Sequence, residues 1–226
     1  MIQQLWYVFV NNVEFCSFYL QDFVPRLRSH LLHRLHGRPY DGDESYNFTD
    51  RDHMDMRFSH NRLYRHKVLR LNYTTYDLRR DQDSINPRTG GDIMLLSHED
   101  TDADETHCYW YARIVAIFHV EVFWKKAENP TRPIRMPFLL IRWLGKDLKT
   151  PTGWKARRLH RVGFVDGSEL DDPYAAFGFL DPEVVIRAVH LIPAFRQGFT
   201  TDLLPKSIAR RPDERDEDAL IYYVGM

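Results

Sequence analysis

The sequence predicts a mainly β fold with a helical N-terminal appendage, an α+β arrangement centred on a small antiparallel barrel. Three observations lead there. Positions 109–124 alternate apolar and polar side chains with period two, the pattern of a half-buried strand. Further strand-like runs follow at short spacing, without the βαβ alternation that a parallel sheet requires. Aromatic residues make up 14% of the 226 positions, a share that favours strands over helical bundles.

The elements follow in chain order. Residues 5–10 form a short apolar run whose length cannot decide between strand and helix. From Ser17 the pattern turns helical. Leu20, Val24, Leu27, Leu31 and Leu35 recur at spacings of three and four, and Gly37 supplies the stop. Pro25 predicts a break, with a second helix opening at its own first turn and showing a basic outer face of Arg26, Arg28 and Arg34. Residues 37–55 are turn-rich and lead into the β region. Strands are expected over 67–78, 93–96, 109–124, 137–143 and 157–165. In 109–124 one face carries Trp110, Ala112, Ile114, Ala116, Phe118, Val120 and Val122, and the other Tyr109, Tyr111, Arg113, His119 and Glu121. A strand this long is expected to bend or bulge midway. Asp181, Pro182 and Glu183 predict a brief turn entering a last strand over 184–192. The expected organisation is a helical region over 1–60 packed on a barrel over 61–226.

Composition bounds the function. Hydrophobic residues at 43% and charged residues at 28% describe an ordinary globular chain. A net charge of −1 gives no overall nucleic-acid signal, but the charges are segregated. Glu99, Asp100, Asp102, Asp104 and Glu105 form one acidic block and residues 213–218 another. Between positions 142 and 161 lie Arg142, Lys146, Lys149, Lys155, Arg157, Arg158 and Arg161, against Asp147 alone. Cys16 and Cys108 have neither disulfide-framework nor zinc spacing. No apolar run approaches the ~20 residues that span a bilayer. The first ten residues lack a basic n-region and a cleavage site. An intracellular compartment, nuclear or cytoplasmic, is expected, with no membrane partner.

Chemical constellations are few. His30, His33 and His36 share a helical face, yet no carboxylate or cysteine completes a metal set nearby. Asp77, Asp81 and Asp83 lie among arginines, where local ion pairs explain them better than acid–base or two-metal chemistry. No GxSxG, P-loop or GxGxxG occurs. Neither catalysis nor a cofactor is expected. The strongest binding candidate is the stretch 154–161. On a strand, Lys155, Arg157 and Arg161 share one face while Trp154, Arg158 and His160 share the other. With Arg142 they could meet phosphates or an acidic peptide, or pair internally with the acidic loops. Tyr109, Tyr111 and Trp154, with Trp110 and Trp143, could line an aromatic cage for a cationic side chain, or fill the core.

Four strings carry a family resemblance: residues 67–88 (KVLRLNYTTYDLRRDQDSINPR), 109–114 (YWYARI), 153–161 (GWKARRLHR) and 188–195 (AVHLIPAF). Together they resemble a domain of mushroom-forming fungi associated with DNA transposons of the Plavaka and Kyakuja–Dileera–Zisupton kind. The resemblance covers roughly 17–226 and brings no catalytic residue with it. Gly90, Gly91 and Cys108 depart from its pattern. Relatives continue beyond Met226, which implies a C-terminally truncated copy. A looser layout, with residues 111–114, Arg142-Trp143, residues 182–185 and Pro193, is similar to the bromo-adjacent homology barrel of chromatin proteins, which implies a histone tail or another chromatin protein as partner.

The leading expectation is therefore a non-catalytic binding module of a transposon-derived protein, recognising a protein or chromatin partner. One alternative is a DNA-binding accessory domain of a transposase, using Lys155, Arg157, Arg158 and Arg161. The other is a degenerate transposase or nuclease fragment, in which Asp77, Asp81 or Asp83 would meet Glu121 around a metal, or a relic without function.

Overall fold

A computed structural model describes residues 23–38, 48–75, 77–97, 109–153, 156–167, 176–204, 209–211 and 215–225. Helix α1 (Phe23–Leu35) buries Phe23, Val24, Leu27, Leu31 and Leu32, which recur at helical spacing. Pro25 sits in the first turn, where its missing N–H costs no helical bond. The helix ends on Gly37, at φ 66°. Arg38 N–H returns to His33 O at 3.3 Å and Gly37 N–H to Arg34 O at 2.9 Å, the paired bonds of a Schellman stop. The expected basic outer face is instead a set of clamps. Arg26 donates to Phe177 O at 2.9 Å, Arg34 bonds Pro137 O and pairs with Asp181 at 2.5 Å, and Arg28 lies over the Phe58 ring. Long arginine stems cross apolar surface and deliver their heads to acceptors beyond it.

Helix α2 (Asp50–Met54) opens with a capping box between Thr49 and Asp52 and feeds directly into β1 (Met56–His66). Residue 60 therefore lies inside a strand, and β structure begins before residue 61. A hairpin follows, β2 (Leu69–Thr74) and β3 (Arg80–Ile85), closed by the Thr75 N–H to Arg79 O bond at 2.8 Å, with Leu78 at φ 62°. Next come β4 (Asp92–Leu96), β5 (Tyr109–Trp124), β6 (Ile134–Lys146), β7 (Arg161–Phe164), β8 (Phe177–Leu180), β9 (Val185–Ala188) and β10 (His190–Pro193). The chain ends with β11 (Phe199–Thr200), β12 (Asp218–Ala219) and β13 (Tyr222–Gly225). As expected, Asp181 caps a single turn ahead of β9 by accepting from the Glu183 N–H.

Nine strands form one antiparallel sheet in the order β10-β13-β7-β6-β5-β4-β9, with β1 also on β5 and β8 also on β6. The β5–β6 hairpin is its axis. Ile114 opposes Ile141 while Ala116 opposes Leu140, so Val115 is an extra, bulged residue. A single bulge exchanges the two faces of the strand beyond it. Ala112 and Ile114 therefore point into one core with Ile117, Leu139 and Ile141. Ala116, Phe118, Val120 and Val122 point into another, beneath α1 with Phe58, Phe138 and Phe179. The apolar face read from the sequence is thus divided between two opposite sides of the sheet.

The expected barrel is corrected to an open, curled sheet. Its end strands β9 and β10 are separated only by Val189, whose N–H bonds Asp92 O at 2.9 Å. The ends meet through the chain, with no ladder between them, and β10 finishes on Pro193, which has no N–H to give one. Curling is required by the third core, where Met94 of β4 packs with Tyr111, Phe164, Leu191 and Val224 from across the strand order. A Cβ at Gly163 would stand 2.6 Å from Leu220 O, so the turn before β13 can approach β7 only at glycine. No helix among the described residues is long and apolar enough to cross a membrane.

His30 faces the core beneath α1, against the Phe179 ring, and neither ring nitrogen has a hydrogen-bond partner. Burial, with smaller contributions from Arg34 and His33, pushes its pKa down to about 3. The native state refuses a proton that the unfolded chain accepts below about pH 6.5, so this residue costs stability as pH falls from there toward 3. The penalty is about 2 kcal/mol at pH 5. We predict that His30→Leu raises the urea midpoint and flattens its fall between pH 7 and pH 5; equal pH slopes in the two proteins would refute a neutral, buried His30.

Candidate functional site

The residues expected to bind do not converge. Arg142 is 2% exposed, and its guanidinium donates to both Asp218 oxygens at 3.2 and 3.0 Å. Arg161 pairs with Asp147 at 3.1 Å and donates to Thr150 Oγ1 at 2.9 Å. Reciprocal backbone bonds join Gly153 and Arg158, and residues 156–158 turn, with Arg157 at φ 51°, in place of the strand expected from 157. Arg157 and Arg158 are exposed on that turn. Trp154 and Lys155 lie outside the described residues. The expected cationic row is therefore broken, because Asp147 and Asp218 draw two of its members inward.

An aromatic cage does not form among the described residues either. Tyr111 is buried in the third core and Tyr109 packs against it. Trp110 and Trp143 meet edge to face on the opposite side of the sheet, with ring centroids 6.2 Å apart. Alternation along β5 separates the tyrosines from the tryptophans.

Arg142 belongs to a buried row of ions. In register across β4, β5 and β6 stand Asp92, Arg113 and Arg142. Arg113 bonds Asp92 at 2.6 Å, and Arg211 reaches the other Asp92 oxygen at 2.7 Å. Arg210 bonds Asp218 at 3.2 and 3.3 Å and also donates to Leu204 O. The Phe164 ring lies 3.7 Å from the Arg142 guanidinium carbon and 4.8 Å from that of Arg113. Burial pulls the Arg142 pKa below the usual guanidinium value, against the opposing effect of Asp218. Arg113 and Arg142 are thus engaged by carboxylates at their guanidinium edges and by one aromatic ring over their faces, inside the core.

The three aspartates expected on a turn lie on the β2–β3 hairpin. Asp77 pairs with Arg79 at 2.9 Å, Asp81 accepts from Tyr73 Oη at 3.3 Å, and Asp83 accepts from the Ala188 N–H at 2.9 Å. Each carboxylate has its own local partner. Among the described residues no three His, Cys, Asp or Glu side chains come together as a metal set. His30 and His33 are buried, and His36 stacks on Phe48 at 5.9 Å.

Two outward features emerge that sequence reasoning missed. The first is a groove of about 640 Å³ at the distal end of the hairpin, lined by Asn72, Tyr73, Thr74, Arg80, Asp81 and Gln82. Leu69, Leu71 and Ile85 anchor this hairpin on the second core, and Arg187 lies over the Tyr73 ring at 4.9 Å. The second is the open face of β1 and β5, turned away from α1. There Tyr64 stacks on His119 at 4.6 Å, and His66 Nε2 stands 2.6 Å from His119 Nδ1. Burial, then Arg135 and His66, lowers the His119 pKa despite Glu121. The hairpin was foreshadowed by the alternation of residues 67–78. The imidazole pair depends on the β1–β5 register and has no local signal.

No family model, curated protein or solved structure matches this chain.

Removing one partner of a buried ion pair costs about 3–5 kcal/mol. Arg142→Ala is accordingly expected to lower unfolding free energy by about that amount in urea titration, whereas exposed Arg157→Ala and Arg158→Ala should each stay within about 0.5 kcal/mol. Equal effects at the three positions would show that Arg142 is not buried in this network.

Proposed function

We propose that the chain is a non-catalytic binding module of a transposon-derived protein, recognising a protein or chromatin partner at the distal end of the β2–β3 hairpin. The observation that carries this reading is the groove. Amides, hydroxyls, one guanidinium and one carboxylate line it around the Tyr73 ring, a set suited to the backbone and polar side chains of a peptide. The hairpin is tethered from below by apolar anchors and the Asp83–Ala188 bond, so its outer residues are held in place before a partner arrives. Binding through the 142–161 cations loses support, since Arg142 and Arg161 are engaged inside the protein. The nuclease-remnant reading gains none, because Asp77, Asp81 and Asp83 are each committed to a separate neighbour.

The test is capture. Immobilised protein is offered histone-tail peptides and nuclear extract, in parallel with a Tyr73→Ala/Arg80→Ala variant. A partner retained by the native chain and lost from the variant is expected. Recovery of no specific partner, or equal recovery by the variant, would overturn the reading.

A further inference from the structure

One run of the chain joins exposed cations to an absence of acidic residues. Between Asp55 and Asp77 the chain has no acidic residue, yet it carries Arg57, Arg62, Arg65, Lys67 and Arg70. All five are exposed, and four of them lie on or directly after β1. Among the described residues β1 pairs with β5 alone, so it is an edge strand. Its register jumps between Phe58 and Leu63, where His60 and Asn61 both take φ 52°. This bulge pushes His60, Asn61 and Arg62 out from the edge. Arg57 lies over the Phe123 ring at 5.2 Å, and Tyr64, 37% exposed, stacks on His119 on the same face. Several cations elsewhere are engaged: Lys125 and Lys126 pair with Asp55 and Asp52, Arg161 with Asp147, and Arg142 with Asp218, while exposed Arg157 and Arg158 stand as an isolated pair on their turn.

We infer that β1 is a nucleic-acid track, taking a single strand along its edge with phosphates on Arg57, Arg62, Arg65 and Lys67 and a base against Tyr64. The charge pattern supplies the complementarity. Eleven residues of strand at ~3.3 Å each extend over roughly 30 Å, enough for several nucleotides. Exposed aromatic rings among cations form a stacking platform that tolerates any sequence. Charged edge strands also deter sheet-to-sheet aggregation, and the test must separate that role from binding. This surface is distinct from the hairpin groove, so either assignment can fail alone.

Fluorescence anisotropy with a labelled oligo-dT of about 20 nucleotides, and a duplex of the same length, reads the interaction at about 50 and 200 mM salt. The native chain should bind the single strand in preference to the duplex, and more weakly at the higher salt. Arg57→Ala/Arg62→Ala/Arg65→Ala/Lys67→Ala should lose about tenfold or more and flatten the salt slope by about 3, at about 0.7 per phosphate contact. Arg62→Glu/Arg65→Glu keeps a charged edge; it should keep the native chain's oligomeric state and melting profile and still lose binding. Arg157→Ala/Arg158→Ala should bind like the native chain. No binding at low salt, undiminished binding by either β1 variant, or loss confined to the Arg157/Arg158 variant would overturn the inference.

Discussion

The architecture depends on one inserted residue. Val115 interrupts the β5–β6 ladder and exchanges the faces of β5, so a single long hairpin can serve cores on opposite sides of the sheet. Beyond the bulge, Phe118, Val120 and Val122 lie under α1; before it, Ala112 and Ile114 lie under β9 and the β2–β3 hairpin. Without the bulge the even-numbered side chains would all point one way, and either α1 or the hairpin would lose its apolar seat. The same arrangement turns one face of the β1–β5 segment away from α1, and that is where the imidazole pair and the exposed tyrosine appear.

A second constraint comes from the ions of the third core. Asp92, Arg113 and Arg142 form a row across three strands, and Asp218 and Arg210 arrive from the far end of the chain. Buried charges tolerate little displacement, because a lost partner leaves a desolvated ion behind. The row therefore ties the C-terminal segment to the β4–β5–β6 centre with more directional force than apolar contact supplies. It also explains why local charge density misleads here. The 142–161 stretch looks like one binding surface, but Asp218 and Asp147 take Arg142 and Arg161 out of it.

Outward chemistry collects on elements that contribute least to the cores. The β2–β3 hairpin touches the main body through alternate residues and leaves its polar positions to solvent. Among the described residues strand β1 has a partner on one side only, and its bulge interrupts the ladder beside Arg62. Edge strands and hairpins keep unspent hydrogen-bonding and charged groups because no second ladder consumes them. A peptide site on one and a polyanion track on the other would suit a module that bridges a protein and a nucleic acid.

The sequence by itself determined the local elements whose signals lie within a few residues. The period-two pattern of 109–124 predicted its longest strand and a bulge within it. Leu27, Leu31 and Gly37 predicted the body and end of α1, and Asp181 with Pro182 predicted the turn before β9. It missed β1, because a cationic strand with only Met56, Phe58 and Leu63 facing inward shows too little apolar alternation. It also could not tell which arginines were spent. Arg142 and Arg157 are chemically alike in the chain, and only the fold brings Asp218 to the first and leaves the second on a turn. That decision belonged to tertiary structure, because charge pairing acts over distances in space and the aspartate that captures Arg142 lies far from it in sequence.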